Sequence, residues 1–322
     1  MLNVKPEVIA YDLHPDYMAT RWAKRQEGVV KIGVQHHHAH MASCLAENQV
    51  QGPALGVICD GTGYGTDGAI WGFEFFAGTP AELKRVAHLA YVPLPGEVTI
   101  KKPTRMAFTY LYELFGPRGL RWAKKYLPTL PGEEQQVLIR QLEGRLNTVP
   151  TSSCGRLFDA VSAVLGICTR VQYEAQAAME MEALADPDVR EGYDFELSAN
   201  LLPYQIGVLG VWEGILRDLE RGTPIPVIAG KFHYTLVVMI AEVLERLRGV
   251  THLNRVVLSG GVFQNRLLFS MLRRKLGEAS FEVLFHRKVP PNDGGISLGQ
   301  VYIASEVIKK NVSCYSSQGH QN

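Results

Sequence analysis

A two-lobed α/β fold is the architecture that this sequence predicts, from three features. The chain is 322 residues long, more than one hydrophobic core usually fills, since single cores stop growing at roughly 250–300 residues. Its first fifty residues alternate short β-rich runs with helical patterns. Further along, glycine turns that follow apolar strand-like runs or open helices recur in the second half of the chain, which suggests a second lobe.

Taken in order, Val8 to Tyr11 reads as a strand, Tyr17 to Glu27 as a helix, Val29 to Val34 as a strand and Gln35 to Asn48 as a helix. Ala54 to Asp60 and Gly68 to Ala77 are apolar runs separated by a glycine-dense turn, which predicts a hairpin with Leu83 to Val92 beside it. From Lys101 to about Arg145 the spacing of Met106, Phe108, Leu111, Leu114, Val137, Leu138 and Leu142 is helical, interrupted at Gly116-Pro117 and Pro131-Gly132. Ser152 and Ser153 precede another helical pattern through Leu157, Phe158, Val161, Val164 and Leu165. A long helix from about Pro226 to Arg248 leads to the strand-like run Arg255 to Leu258, a turn at Ser259 to Asn265, and a helix. A strand at Phe281 to Phe285 follows, and Pro290 to Gly295 opens a last helix to about Val307. The expected organisation is a first lobe with inserted helices over residues 1–150, a second lobe over 151–308, and a polar, disordered tail over 309–322.

Composition narrows the function. With 46% apolar and 20% charged residues and a net charge of +1, the chain has no basic excess for tracking phosphates, so nucleic acid is not an expected partner. The five cysteines are scattered without a C-x-x-C pair, which argues against a disulfide framework or a thiolate zinc site and suits a reducing cytoplasm. The oiliest stretch, Leu236 to Ala241, is too short to span a bilayer, and no membrane role is expected.

Chemistry is most concentrated in Gln35-His36-His37-His38-Ala39-His40, where four of the ten histidines fall within five residues. On a helix His36 and His40 stand one turn apart, where both imidazoles could reach one metal ion. His37 and His38 point elsewhere and suit substrate contact or support of the ligands. Asp60, at the end of an apolar run, could add a carboxylate oxygen, and the glycines of Asp60 to Gly68 free backbone N–H groups for an anion. Other roles remain open: the glycines could simply permit the hairpin turn, and Asp293 could cap the helix after Gly294-Gly295. Asp159 and Glu174 could be solvated helix faces. What favours a ligand site is the pair of downstream glycine turns, Ser259-Gly260-Gly261 and Asn292 to Gly295, because a two-lobed nucleotide site draws loops from both lobes. No Ser-His-Asp or Cys-His arrangement stands out.

The segments Asp12 to Tyr17, Gln35 to His40, Asp60 to Gly68 with Trp71-Gly72, Gly155 to Val161, Tyr173 to Glu180, Ser259 to Asn265 and Pro291 to Gly295 together closely resemble the C-terminal transferase domain of the HypF carbamoyltransferases of nickel–iron hydrogenase maturation. That domain belongs to the wider TsaD-like group. The resemblance implies an actin/sugar-kinase-like (ribonuclease H-like) α/β fold and an iron or zinc ion held by His36, His40, Asp60 and Asp293, the two Asp residues coming from opposite lobes. It implies that Asp159 and Glu174 face the ribose and nucleotide, that Gly260, Gly261 and Asn265 line the adenosine side, and that Thr62 and Tyr64 line the phosphates. The implied activity is transfer of a carbamoyl group from carbamoyladenylate, itself made from ATP and carbamoyl phosphate, to the C-terminal cysteine of the partner HypE with release of AMP. A cysteine nucleophile in this chain is then not needed.

The motifs of the family's acylphosphatase-like, zinc-finger and YrdC-like domains do not occur, so the chain is expected to transfer the group without making the adenylate. The glycine hairpin that opens the family's first lobe is missing before Val4, which predicts a truncated first lobe. Pro95-Gly96-Glu97-Val98 stands where the family tends toward Gly-Gly-Asp. Rival readings are an O-carbamoyltransferase acting on a small hydroxyl, and a non-catalytic module that binds metal and nucleotide and docks partners. A tRNA threonylcarbamoyl transferase fits the charge less well.

Overall fold

The computed structural model describes residues 5–198 and 201–318. Two parallel strands, β1 (Val8–Asp12) and β2 (Val30–Val34), pair in register and are joined by helix α1 (Met18–Arg25). Parallel strands need such a crossover, because a tight turn cannot reverse the chain twice. Helix α2 (His36–Glu47) follows directly, its N-terminus capped by the Gln35 side chain, which accepts a hydrogen bond from the His38 N–H at 2.9 Å.

The main sheet has nine strands. Its antiparallel centre is β3 (Ala54–Tyr64), β4 (Ile70–Thr79) and β5 (Glu82–Leu89), the expected hairpin and third strand, although the third breaks after Leu89 and resumes as β6 (Val92–Pro95). Helices α3 (Val98–Lys101), α4 (Pro103–Phe115), α5 (Leu120–Tyr126) and α6 (Gly132–Gly144) form the insertion, and β7 (Thr148–Thr151) returns to pair with β6 and β4. Beyond it come α7 (Cys154–Val164), α8 (Gln176–Leu184), β8 (Glu196–Leu197), β9 (Tyr204–Gly207), α9 (Leu209–Glu220), α10 (Ile225–Thr251), β10 (Arg255–Ser259), α11 (Arg266–Glu278), β11 (Glu282–Phe285) and α12 (Ile296–Gln318). Apart from β6 and β7, strand order is β11-β10-β3-β4-β5-β9-β8.

This topology corrects the expected division at residue 150. β10 lies parallel to β3, and β9 parallel to β5, so strands from both sides of that boundary share one sheet. The break between structural layers falls instead between the β1–α2 segment and β3. Periodicity reveals elements but not which strands pair across long connections, and here the pairing spans about two hundred residues, Leu55 to Val256. The expected tail also differs, since α12 continues past Val307 to Gln318, while residues 319–322 lie outside the described residues.

The largest core cluster among the described residues includes Phe73, Phe75, Phe108, Phe158, Trp212 and Phe232, all fully buried, and two smaller clusters pack around α2. Helix α10 has 27 residues and is long and apolar enough to cross a membrane, longer than the Leu236 to Ala241 stretch suggested, but most of its apolar length is buried inside the fold. Its apolarity is that of a core helix.

Close approaches of glycine set the position of α2. A Cβ on Gly299 of α12 would fall on the Ala39 carbonyl of α2, and one on Gly56 of β3 would fall on the Met41 side chain. α2 is thereby held at backbone contact with α12 on one side and by the Met41 side chain against β3 on the other. Gly299→Val should lower stability by about 1–3 kcal/mol, the usual cost of overpacking. Gly277→Ala, in α11 where an added methyl meets nothing, should raise it by up to about 1 kcal/mol through helix propensity. Urea unfolding of both variants checks the opposite signs.

Candidate metal and nucleotide site

Four ligand atoms from three segments converge. His36 and His40 present Nε2 from one face of α2, Asp60 comes from β3 where its pairing with β4 is interrupted between Cys59 and Gly63, and Asp293 begins the short turn into α12. His36 Nε2 lies 3.5 Å from Asp60 Oδ2 and 3.6 Å from Asp293 Oδ1, and His40 Nε2 lies 3.7 Å and 3.5 Å from the same atoms. Ligands about 2.1 Å from a tetrahedral ion stand about 3.4 Å apart, so the separations fit one metal ion better than direct hydrogen bonds. Both Nε2 atoms are buried without a hydrogen-bond partner. Two imidazoles with two carboxylates make a donor set suited to iron or zinc.

The electrostatics agree. Burial works against a charged His36, but the carboxylates of Asp12, Asp293 and Asp60 overcome it and raise its pKa well above the usual imidazole value. Burial likewise opposes ionisation of Asp60, but His36 and His40 hold its carboxyl well below the usual range. The same two imidazoles hold the Asp293 carboxyl below the usual range. The cluster is thus built for concentrated positive charge between its carboxylates.

Asp12 was not among the expected site residues, although its segment carried part of the resemblance. From the end of β1 its Oδ2 meets His36 Nδ1 at 2.9 Å, and its Oδ1 accepts the His14 N–H at 2.8 Å. Such a carboxylate fixes the tautomer that leaves Nε2 free for the metal. Its only signal in the sequence was an acid ending a strand-like run.

The other histidines of the motif separate. His37 is fully buried, its Nδ1 3.3 Å from Gln35 Nε2, its ring beside Gly63, and its Nε2 without a partner. Burial and the neighbouring His36 charge push its pKa well down, so it is neutral at pH 7. His38 lies two residues on from His36, on the other side of the helix, with its ring edge-on to Phe76 at 4.9 Å and its pKa lowered by burial to about 4. The structure therefore does not bring His38 to the metal ligands, because helical geometry turns it into the packing between α2 and β4.

Around Asp60 the glycine turns close in. Gly260 adopts φ +103°, and a Cβ there would fall on the Cys59 backbone, so only glycine lets this turn reach β3. Its N–H donates to Pro291 O at 3.0 Å, and the Gly261 N–H points at Asp60 Oδ1 at 3.4 Å. Thr62 and Tyr64 are exposed on the hairpin, with Tyr64 O accepting from Gln35 Nε2 at 2.9 Å. Asn265 is committed elsewhere: Oδ1 caps α11 by accepting the Leu268 N–H at 2.8 Å, and Nδ2 meets His233 Nε2 at 3.0 Å. Its side chain serves the fold here, which corrects its expected place along adenosine.

Asp159 and Glu174 are brought together. They line a cavity of ≈740 Å³ with Ile100, Lys101, Arg156 and Arg170 among others, a size suited to a small-molecule ligand. This cavity neighbours the metal cluster through the start of α7, where the Ser153 hydroxyl donates to Gly61 O and Gly155 packs on Gly61. Gly260 and Gly261 do not line it but border Asp60.

Tertiary structure also assembles a serine, a histidine and a carboxylate that the sequence keeps far apart. Ser259 Oγ lies 2.8 Å from His286 Nε2, whose Nδ1 lies 3.0 Å from Glu47 Oε2. Ser259 is completely buried, so no substrate reaches it. Glu47 also accepts the N–H groups of Arg287, Lys288 and Val289, so the arrangement anchors the segment leading to Asp293 onto the end of α2.

Two variants test this geometry. Calorimetric titration of the metal-free chain with Zn2+ should show one ion per chain, and Asp12→Asn should weaken that binding by about 10- to 100-fold. His38→Ala should leave it within about twofold.

A family model described as the carbamoyltransferase Kae1-like domain, second subdomain, matches residues 56–300, and one described as the HypF Kae1-like domain matches residues 1–47. Their junction agrees with the layer break before β3. Carbamoyltransferase HypF2 of Cupriavidus necator is 36% identical over 94% of this chain and 40% of its own length. A carbamoyltransferase HypF homolog of the same organism is 34% identical over 93% of this chain and 78% of its own length. Among solved structures, full-length HypF in a phosphate- and nucleotide-bound form superposes with a TM-score of 0.90 at 41% identity, covering 95% of this chain and 47% of that one. The HypF of T. kodakarensis superposes at 0.79 and 31% identity, covering 91% and 39%. The chain spans about two fifths of the length of most of the curated HypF relatives it matches. Over nearly all of its own length, this chain belongs to the HypF carbamoyltransferase family, with the Kae1-like, actin/ribonuclease H-like α/β fold of that family.

Proposed function

We propose that this chain carries out the transfer step of carbamoylation in hydrogenase maturation: it binds carbamoyladenylate and passes the carbamoyl group to the C-terminal cysteine of HypE, releasing AMP. One observation carries the reading, the convergence of two partnerless imidazole nitrogens and two carboxylates at one point, in a chain of this family. In the reaction the thiolate sulfur bonds to the carbamoyl carbon, and the bond from that carbon to the phosphate oxygen breaks, its electron pair leaving with AMP. An ion held by His36, His40, Asp60 and Asp293 would supply Lewis-acid stabilisation for charge developing on the substrate oxygens.

The chain's own residues do the rest. Asp159 and Glu174 accept hydroxyl hydrogens of the sugar in the cavity. The exposed hairpin residues Thr62 and Tyr64 border the phosphate side together with the turn at Gly260 and Gly261, whose own N–H groups are directed to Pro291 O and Asp60 Oδ1. Neutral His37, with one ring nitrogen unpartnered, suits a hydrogen bond to a bound oxygen rather than metal ligation. The nucleophile comes from the partner, and Cys44, Cys59, Cys154 and Cys168 of this chain are buried. These free thiols also fit a reducing cytoplasm.

Incubating the chain with preformed carbamoyladenylate and HypE, followed by intact-mass spectrometry, should show a carbamoyl adduct on HypE. The double variant His36→Ala/His40→Ala should bind no metal and lose transfer by roughly 100-fold or more. Transfer that survives complete loss of metal binding would sink this mechanism. Carbamoylation of a small alcohol but not HypE would move the assignment to the O-carbamoyltransferase reading, and nucleotide binding without any transfer would leave a docking module.

A further inference from the structure

Arg156 was not among the expected site residues, yet it is the cation nearest Asp159. It lies in the first turn of α7, where its N–H donates to the capping Ser153 hydroxyl at 3.0 Å. Its Nη2 is 3.0 Å from Asp159 Oδ2, one turn on, with only 9% and 4% of the two side chains exposed. Nε and Nη1 of Arg156 and Oδ2 of Asp159 are buried without hydrogen-bond partners, so the two side chains meet as an ion pair. A guanidinium recruited for packing alone would not be kept with two unpaired donors, since each costs free energy when buried. What remains as its task is the charge it places on Asp159, at the wall of the cavity both residues line.

We propose that Arg156 is a positioning residue that holds Asp159 as an oriented, charged acceptor for a hydroxyl of the bound nucleoside. The inference rests on the reading of this cavity as a nucleoside site. A carboxylate accepts a hydroxyl hydrogen more strongly when ionised, and burial here favours the neutral acid. Burial, the larger cause, leaves the Asp159 pKa above the usual carboxylate value, and Arg156 is what holds it down. The other charged or titratable groups lining the cavity are Lys101 from α3, and Arg170, Tyr173 and Glu174 from the segment before α8. Cys168, close by, is pushed up to about 11 by burial. No histidine lines the cavity among the described residues. With Arg156 neutralised, Asp159 would gain a proton as pH falls through the neutral range, because a carboxyl so buried can rise by 3–5 units. The acceptor would then be lost at low pH and regained at high pH.

Adenosine is the probe, since it has no phosphate to titrate, and calorimetry on the full chain at about pH 6 and about pH 8 is the measurement. The wild-type dissociation constant should be the same within about twofold at both pH values. In Arg156→Gln it should be about tenfold weaker at the lower pH, matching a shift of one unit across the window. Arg156→Lys should restore a flat profile, and Asp159→Asn should be weak and flat. Adding Arg156→Gln to Asp159→Asn should cost nothing further. Circular dichroism of each variant identifies any that misfolds, and Arg156→Lys, which keeps the charge, remains informative in that case. A flat profile for folded Arg156→Gln, with Asp159→Asn still weakened, overturns the role of Arg156 alone. Absence of adenosine binding by the wild type, or an Asp159→Asn affinity equal to wild type, overturns the nucleoside reading and this inference with it.

Discussion

The rest of the site depends on the burial of two imidazoles and the Asp60 carboxylate at one point, where α2, β3 and the turn into α12 meet and the exposed Asp293 closes the cluster. His36 and His40 are about 1% exposed and Asp60 8%, and charged groups so far from water persist only when paired or bound to a cation. That requirement draws three distant parts of the chain together. It also explains the surrounding construction: glycines that let α2 reach backbone contact with α12 and seat Met41 against β3, Asp12 behind His36, and Glu47 tying the Asp293 segment to the far end of the same helix. Asp60 stands on β3 of the main sheet, and Asp293 at the turn into α12, the helix that packs on α2. The cluster joins that sheet to the smaller β1–β2 layer through α2.

A second buried network supports the hairpin that carries Asp60. Glu74, fully buried on β4, accepts from Arg85 Nε at 2.5 Å, from the Ser152 hydroxyl and from the Gly72 N–H. Arg85 stacks 4.0 Å over the Trp71 ring and approaches Asp67, whose carboxylate also accepts from Trp71 and Tyr91. Breaking such a pair leaves an uncompensated buried charge at a cost of about 3–5 kcal/mol. The network therefore couples hairpin geometry to the start of α7, where Ser153 holds Gly61 and Arg156 holds Asp159. The metal cluster and the cavity share one rigid boundary.

Much of this was legible in the sequence, for physical reasons. The i, i+4 spacing of His36 and His40 specifies a common helical face, and glycines at Gly260 and Gly261 mark a turn that approaches another strand. The elements themselves emerge from apolar periodicity, including the hairpin and the long buried α10. Less legible were residues whose role depends on what packs behind them. Asp12 and the Ser259, His286 and Glu47 set carry no local signature, because each acts through a partner on another element, whereas Arg156 pairs with Asp159 one turn on along α7 and is set apart only by its burial. Asn265 is in between: its cap of α11 is local, while its contact with His233 of α10 is made only by the fold.

By itself the sequence determined the α/β class, most of the elements in order, the pair of metal-facing imidazoles and the family to which the motifs point. Local periodicity and turn chemistry act within a few residues, so they are readable without the fold. Only the tertiary structure decided that one sheet runs across the expected boundary, that His38 faces Phe76 while His37 stays beside Gly63, and that Arg156 and Asp159 are buried together at the wall of a cavity. Those outcomes follow from strand pairing and close packing between residues far apart in the chain, where many arrangements share the same local pattern and the shape of the core selects one.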